Sequence, residues 1–113
     1  MTFEQITELL AGQPYTEPES NSTFEFGFAS DLMSDVLTIK SEKLVLLTGL
    51  YNQQALRAAE IADIHCVVFS RNKKLPEELV ELAKELRIGV VKSPYSMFKC
   101  AGLLYHHGLK PLY

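Results

Sequence analysis

At 113 residues the chain can bury one hydrophobic core, which predicts a single domain over 1–113. The net charge is −3 and the lysines and arginines are dispersed, so no cationic stripe exists to neutralise a nucleic-acid backbone. No apolar run reaches the length of a membrane span and no basic segment precedes an apolar one at the N-terminus, so no membrane association is expected.

Thr2-Phe3-Glu4-Gln5 has the spacing of a capping box, and Phe3, Ile6, Leu9 and Leu10 supply one side of a short helix ended by Gly12 and Pro14. Residues 13–23 have loop composition, with room for a brief edge strand around Tyr15. Phe24, Phe26 and Phe28 alternate with small or polar residues, the period of a strand with one apolar face. A short helix follows, capped by Ser30 or Asp31, with Leu32, Met33, Val36 and Leu37 as its apolar side.

Leu44 to Ser70 reads as a complete βαβ unit. Leu44–Leu47 and Cys66–Phe69 are continuous apolar runs, as strands buried on both faces require, and the alanine-rich stretch from Ala55 to Ala62 can lie close against a sheet. The polar loop 70–74 leads to a helix with Pro76 at its first position, Glu77 and Glu78 at its positive end, and Lys84 and Arg87 at its negative end. Ile88–Val91 is a further short strand. Ser93-Pro94 caps a last helix, which carries Met97, Phe98, Ala101, Leu104 and Tyr105 and stops at Gly108. Strands alternating with helices predict an α/β fold, a three-layer α/β/α sandwich around a mostly parallel sheet of four to five strands. Cys66 and Cys100 fall inside these elements, as small buried thiols do in a reducing compartment, so a cytoplasmic location is expected.

In open α/β sheets ligands bind beyond the carboxyl ends of the strands. Those ends carry the polar residues of this chain: Ser30, Asp31 and Ser34 after the first strand, Thr48, Gly49 and Asn52 after the second, Ser70, Arg71 and Asn72 after the third, and Ser93 after the fourth. These are the candidate ligand-binding residues. The serines and aspartates of Ser30–Asp35 repeat at i, i+4, a pattern open to a phosphate or metal site and equally to ordinary helix caps. His65, Cys66, Cys100, His106 and His107 lack the paired short spacing of a zinc site, so no metal is expected. There is no G-x-S-x-G elbow and no glycine-rich phosphate loop ending in Gly-Lys-Ser/Thr, which excludes kinase chemistry of the latter type. No catalytic residue and no cofactor is expected.

The segment order resembles the DRTGG domain family over nearly the whole chain. The likeness rests on the Ser30-to-Val36 segment SDLMSDV, on the strand–TG–helix from Leu44, and on the Leu75-to-Lys99 stretch followed by the final helix. It is strongest with small stand-alone members labelled HPr kinase-like, related in fold to the N-terminal domain of HPr kinase/phosphorylase. The naming motif is altered: Leu50-Tyr51 stand where Asp-Arg would follow the TG loop, and Ser70-Arg71-Asn72 where Thr-Gly-Gly would close a later strand, leaving Arg71 as the substitute cation.

The resemblance implies a non-catalytic regulatory or ligand-sensing domain that pairs with itself, taking a small anionic or nucleotide ligand at the strand-end loops. The alternative it implies is a purely structural protein–protein interaction module of a redox or fermentative complex. The Phe24/Phe26/Phe28 stripe and Met33 read first as core packed under the first helix; the other reading of part of this surface is a homodimer interface with Tyr51 or Tyr95 at its rim.

Overall fold

In the computed structural model, which describes residues 1–19 and 21–113, the elements run α1 (Phe3–Leu9), β1 (Gln13–Thr16), β2 (Phe26–Ala29), α2 (Met33–Val36), β3 (Leu44–Thr48), α3 (Gln53–Ile61), β4 (Cys66–Phe69), α4 (Glu77–Leu86), β5 (Gly89–Lys92), α5 (Met97–His106) and β6 (Lys110–Pro111). Every residue of β3 and β4 is buried, so both faces of the sheet centre need a covering layer. Val36 of α2, Leu56 of α3 and Leu79 of α4 pack on one face with Leu44, Leu46, Val67 and Phe69. Phe3 and Ile6 of α1 and Cys100 and Leu104 of α5 pack on the other, with Val45, Leu47, Cys66 and Val68. The result is the three-layer α/β/α architecture.

The sheet order is β1-β5-β4-β3-β2-β6. All neighbours are parallel except β1, which runs antiparallel to β5. The sheet thus has six strands where the sequence predicts four to five. The edge strand near Tyr15 is present as β1, and β6 is two residues long, too short to show any period. Both edge strands carry a proline, Pro14 and Pro111. The register of β1 slips between Pro14 and Thr16, and buried Thr16 repairs the gap. Its hydroxyl donates to Ile88 O at 2.6 Å and accepts from Val90 N at 2.9 Å.

Several local expectations change. Neither Ser30 nor Asp31 caps α2; Leu32 holds the N-cap position without a side-chain bond, because Ser30 Oγ takes the Leu32 amide and Asp31 turns to the next strand end. A helix of four residues is about one turn and can direct little toward the sheet. Val36 is buried and Met33 half-buried, but Leu32 and Leu37 are exposed. Ser96, not Ser93, caps α5, accepting from Lys99 N at 3.1 Å. Pro76 occupies the N-cap of α4, one position before the helix. The phenylalanine stripe is split: β2 starts only at Phe26, so Phe24 packs with the α1/α5 layer while Phe26 and Phe28 pack half-buried on the opposite face. No shared apolar face of three rings remains for a partner.

Gly89 illustrates how tightly α1 and the β1 arm close on the sheet. A Cβ there would lie 2.8 Å from Phe3 Cε1 and 2.5 Å from Pro18 Cδ, inside contact distance on two sides. Gly89→Ala is expected to cost about 1–3 kcal/mol through overpacking. Gly102→Ala, on an open side of α5 with nothing within 4 Å, should instead gain about 0.5–1 kcal/mol of helix stability. Opposite shifts of the urea midpoint for the two variants check both statements.

Candidate functional site

The site is assembled at the carboxyl ends of β2, β3 and β4. Asp31, just past β2, reaches across to β3: its Oδ1 accepts the Thr48 hydroxyl at 3.0 Å and the Gly49 amide at 2.6 Å. Charge-assisted bonds of this kind are stronger than neutral ones and hold the loop after β3 in one position. Thr48 Oγ1 in turn accepts from Leu50 N at 3.2 Å. From the loop after β4, Arg71 Nη2 donates to Gly49 O at 3.4 Å. A side chain on Gly49 would begin 3.1 Å from Arg71 Nη2 and 3.4 Å from Asp31 Oδ2. The glycine therefore lets a guanidinium and a carboxylate close over the same stretch of backbone. Among the described residues this is the one side-chain hydrogen bond of Arg71, whose side chain is exposed.

The crevice that ordinarily holds ligands lies where successive helices leave for opposite faces of the sheet, here between β4, which feeds α4, and β5, which feeds α5. In this chain that crevice is sealed. Arg71 and Asn72 both adopt positive φ, 71° and 51°, which turns their amides toward the next loop. The two amides donate to Tyr95 O at 2.8 Å and Ser93 O at 2.9 Å. Tyr51 adds a second tie: its hydroxyl donates to Ser70 O at 2.6 Å and accepts from Lys73 N at 3.3 Å, and its ring lies 4.9 Å from that of Phe69. With the amides of 71, 72 and 73 all engaged, the loop has no backbone nest to offer an anion. Only its side chains face outward.

The expected residues separate accordingly. Asp31, Thr48, Gly49 and Arg71 are brought together. Ser93 turns inward, its Oγ donating to Leu10 O at 2.7 Å beneath α5, and so serves the fold instead of the rim. Asn52 is the N-cap of α3, accepting from Ala55 N at 3.1 Å. Ser30 closes a local turn onto Leu32 N, and Ser34 is exposed on α2. Ser70 is fully buried, and its hydroxyl has no protein partner among the described residues. Asn72 contributes backbone, with its side chain exposed.

Tyr51 is the residue of this rim that sequence reasoning left out of the site. It reads there as a motif departure or a dimer rim, yet it is half-buried between two loops. Its one signal is an aromatic ring directly after the TG pair, facing the Phe69 strand end. Burial pushes its phenol above the ordinary value of 10.0. Burial likewise raises the thiols of Cys66 and Cys100, which keeps both protonated and unreactive. Among the described residues no group of three or more His, Cys, Asp or Glu is placed to hold a metal ion, and no helix is long and apolar enough to cross a membrane.

No family model matches the chain, and no curated protein matches it either. Among solved structures it is similar to the CBS and DRTGG domains of the regulatory region of Clostridium perfringens pyrophosphatase, complexed with the activator diadenosine tetraphosphate. The fold is DRTGG-like. The likeness has a TM-score of 0.78 at 16% sequence identity, covering 91% of this chain and 45% of that one. The chain thus spans less than half the length of the regulatory region it matches, and at this identity the likeness is one of fold.

Tyr51→Phe removes the hydroxyl that joins the two loops and should cost about 0.5–1.5 kcal/mol of stability. A phenol whose folded pKa is raised contributes stability that is complete below pH 10.0, its unfolded value, and is lost as pH rises through the folded value. The gap between the parent protein and Tyr51→Phe should therefore be constant at neutral pH and narrow above pH 10.0, read from denaturation curves across that range.

Proposed function

We propose that this chain is a non-catalytic regulatory domain that senses a small anionic or nucleotide ligand at the open end of its sheet. The observation that carries the reading is the exposed Arg71 guanidinium, held over Gly49 by a single side-chain bond with Asp31 beside the same glycine. A planar fork of this kind suits a phosphate or carboxylate bidentately. The Asp31–Thr48–Gly49 bonds supply the rigid frame, and exposed Lys73 and Lys74 add positive charge beside it. Similarity to a regulatory region that carries a nucleotide activator supports a ligand of this class; because that region contains two kinds of domain, the class is carried over and the location is not. The absence of catalysis rests on two protonated, buried thiols and on a carboxylate already engaged by Thr48 and Gly49. Residues 1–113 act as one domain, in the cytoplasm, with no cofactor.

Calorimetry with nucleoside phosphates and inorganic pyrophosphate tests the reading. Arg71→Ala should weaken any binding by roughly tenfold to a hundredfold, the worth of charge-assisted bonds. Asn72→Ala should leave it unchanged, since Asn72 contributes backbone. If no anion binds the parent protein, the reading fails.

The domain also pairs with a second copy. Leu37 and Ile61, exposed at the carboxyl ends of α2 and α3, support this role; Ser41 N donates to Ala62 O at 3.1 Å and brings those two helix ends together. They lie at the end of the sheet opposite Arg71. Sedimentation should show a dimer at micromolar concentration and a monomer for Leu37→Asp combined with Ile61→Asp; a monomeric parent protein would remove this part.

A further inference from the structure

We infer that Asp31 makes the Arg71 site selective for phosphate esters that carry a hydroxyl beside the phosphate, over anions that offer no donor. This rests on the anion-binding reading above and names the ligand class within it.

Asp31 and Arg71 converge on Gly49 from different loops. A carbon at the Gly49 Cβ position would lie 3.4 Å from Asp31 Oδ2, 3.1 Å from Arg71 Nη2 and 3.4 Å from Arg71 Nε. A single atom there touches both charged groups. Yet among the described residues the two side chains form no ion pair with each other. Each is anchored on the loop after β3 instead. Asp31 Oδ1 holds the Thr48 hydroxyl and the Gly49 amide, and Arg71 Nη2 holds Gly49 O. Asp31 Oδ2 takes no bond from a described residue, and both Asp31 and Arg71 are exposed. A charged acceptor and a set of charged donors therefore stand side by side without neutralising one another.

Gly49 supports the same reading independently. It has no positive φ, so its backbone conformation is one that any residue adopts. What its missing side chain provides is the space in which the two charged groups meet.

The carboxylate decides what an anion on Arg71 must bring with it. A phosphate with nothing else attached sets negative charge against Oδ2, and like charges at short range oppose binding. A hydroxyl beside the phosphate reverses that contact, because it donates to Oδ2 in a charge-assisted bond. Exposed Lys73 and Lys74 keep the Arg71 loop positive, which favours a hydroxyl over an ammonium as the donor. The ribose phosphate of a nucleotide has this combination of groups.

The test compares ribose 5-phosphate with methyl phosphate, two monoesters of equal charge, by calorimetry on the full chain. Ribose 5-phosphate should bind the parent protein more tightly by roughly tenfold, the worth of a hydrogen bond to a charged group. Asp31→Asn keeps an Oδ1 acceptor for Thr48 and Gly49 and replaces only the free oxygen by a neutral donor. In that variant methyl phosphate should bind roughly threefold more tightly, and the preference for ribose 5-phosphate should fall below about threefold. Gly49→Ala, whose methyl occupies the meeting point, should reduce ribose 5-phosphate binding to the methyl phosphate value of the parent protein or below. Equal affinities in the parent protein, or a preference left unchanged by both variants, would overturn the role of Asp31 while leaving the anion site standing. Binding of pyrophosphate but of neither ester would overturn it in the same way. If none of the three binds the parent protein, the anion reading itself fails, and this inference with it.

Discussion

Everything in this fold depends on two short strands having no solvent-facing side. β3 and β4 are apolar at every position, so helices must cover the sheet above and below. Three helices cover one face and two the other, and the change of face comes between β4 and β5. Burial of these strands also decides where polar chemistry can occur. With the sheet interior dry, hydroxyls, charges and amides collect at the strand ends. There they either bond one another or meet solvent.

At the carboxyl end most of them bond one another. The loops after β3, β4 and β5 are tied in sequence by Tyr51 on Ser70 and Lys73, and by the Arg71 and Asn72 amides on Tyr95 and Ser93. A rim whose backbone is consumed in this way recognises with side chains or not at all. That distinguishes it from the glycine-rich phosphate cradle, where backbone amides do the binding. The guanidinium of Arg71 and the second oxygen of Asp31 are what is left over. They come from different loops, yet both converge on Gly49, the glycine of the TG pair. Leu50 and Tyr51 follow the TG pair directly and supply neither charge, and acid and base reach the same spot from elsewhere in the chain.

The layered architecture was legible in the sequence because burial on both faces leaves an unbroken apolar run, and Leu44–Leu47 and Cys66–Phe69 are such runs. The capping box at Thr2 was legible for the same reason: spacing alone specifies it, and both of its bonds are present. What spacing cannot reveal is a choice among neighbours. Ser93 and Ser96 are equally good caps on paper, and the inward bond of Ser93 to Leu10, eighty-three residues away in sequence, decides between them. Asp31 was expected either to cap its own helix or to form a site; the competing partner, the Gly49 amide, lies on another strand. Phe24, Phe26 and Phe28 share a period but not an element, since β2 begins after the first of them. β6 is held by its pairing with β2, and no property of Lys110–Pro111 announces that.

The two prolines at the margins of the sheet carry a consequence for how copies of this molecule can meet. An outermost strand ordinarily offers a ladder of unused donors and acceptors to any passing chain, the route by which sheets extend into open-ended polymers. Here Pro14 stands on one outer strand and Pro111 on the other, each deleting a donor, and the second of these strands is only two residues long. Strand addition is therefore discouraged at both margins. Any association is left to side chains on helices and loops, where the symmetry of the contact, and not strand pairing, decides whether an assembly closes.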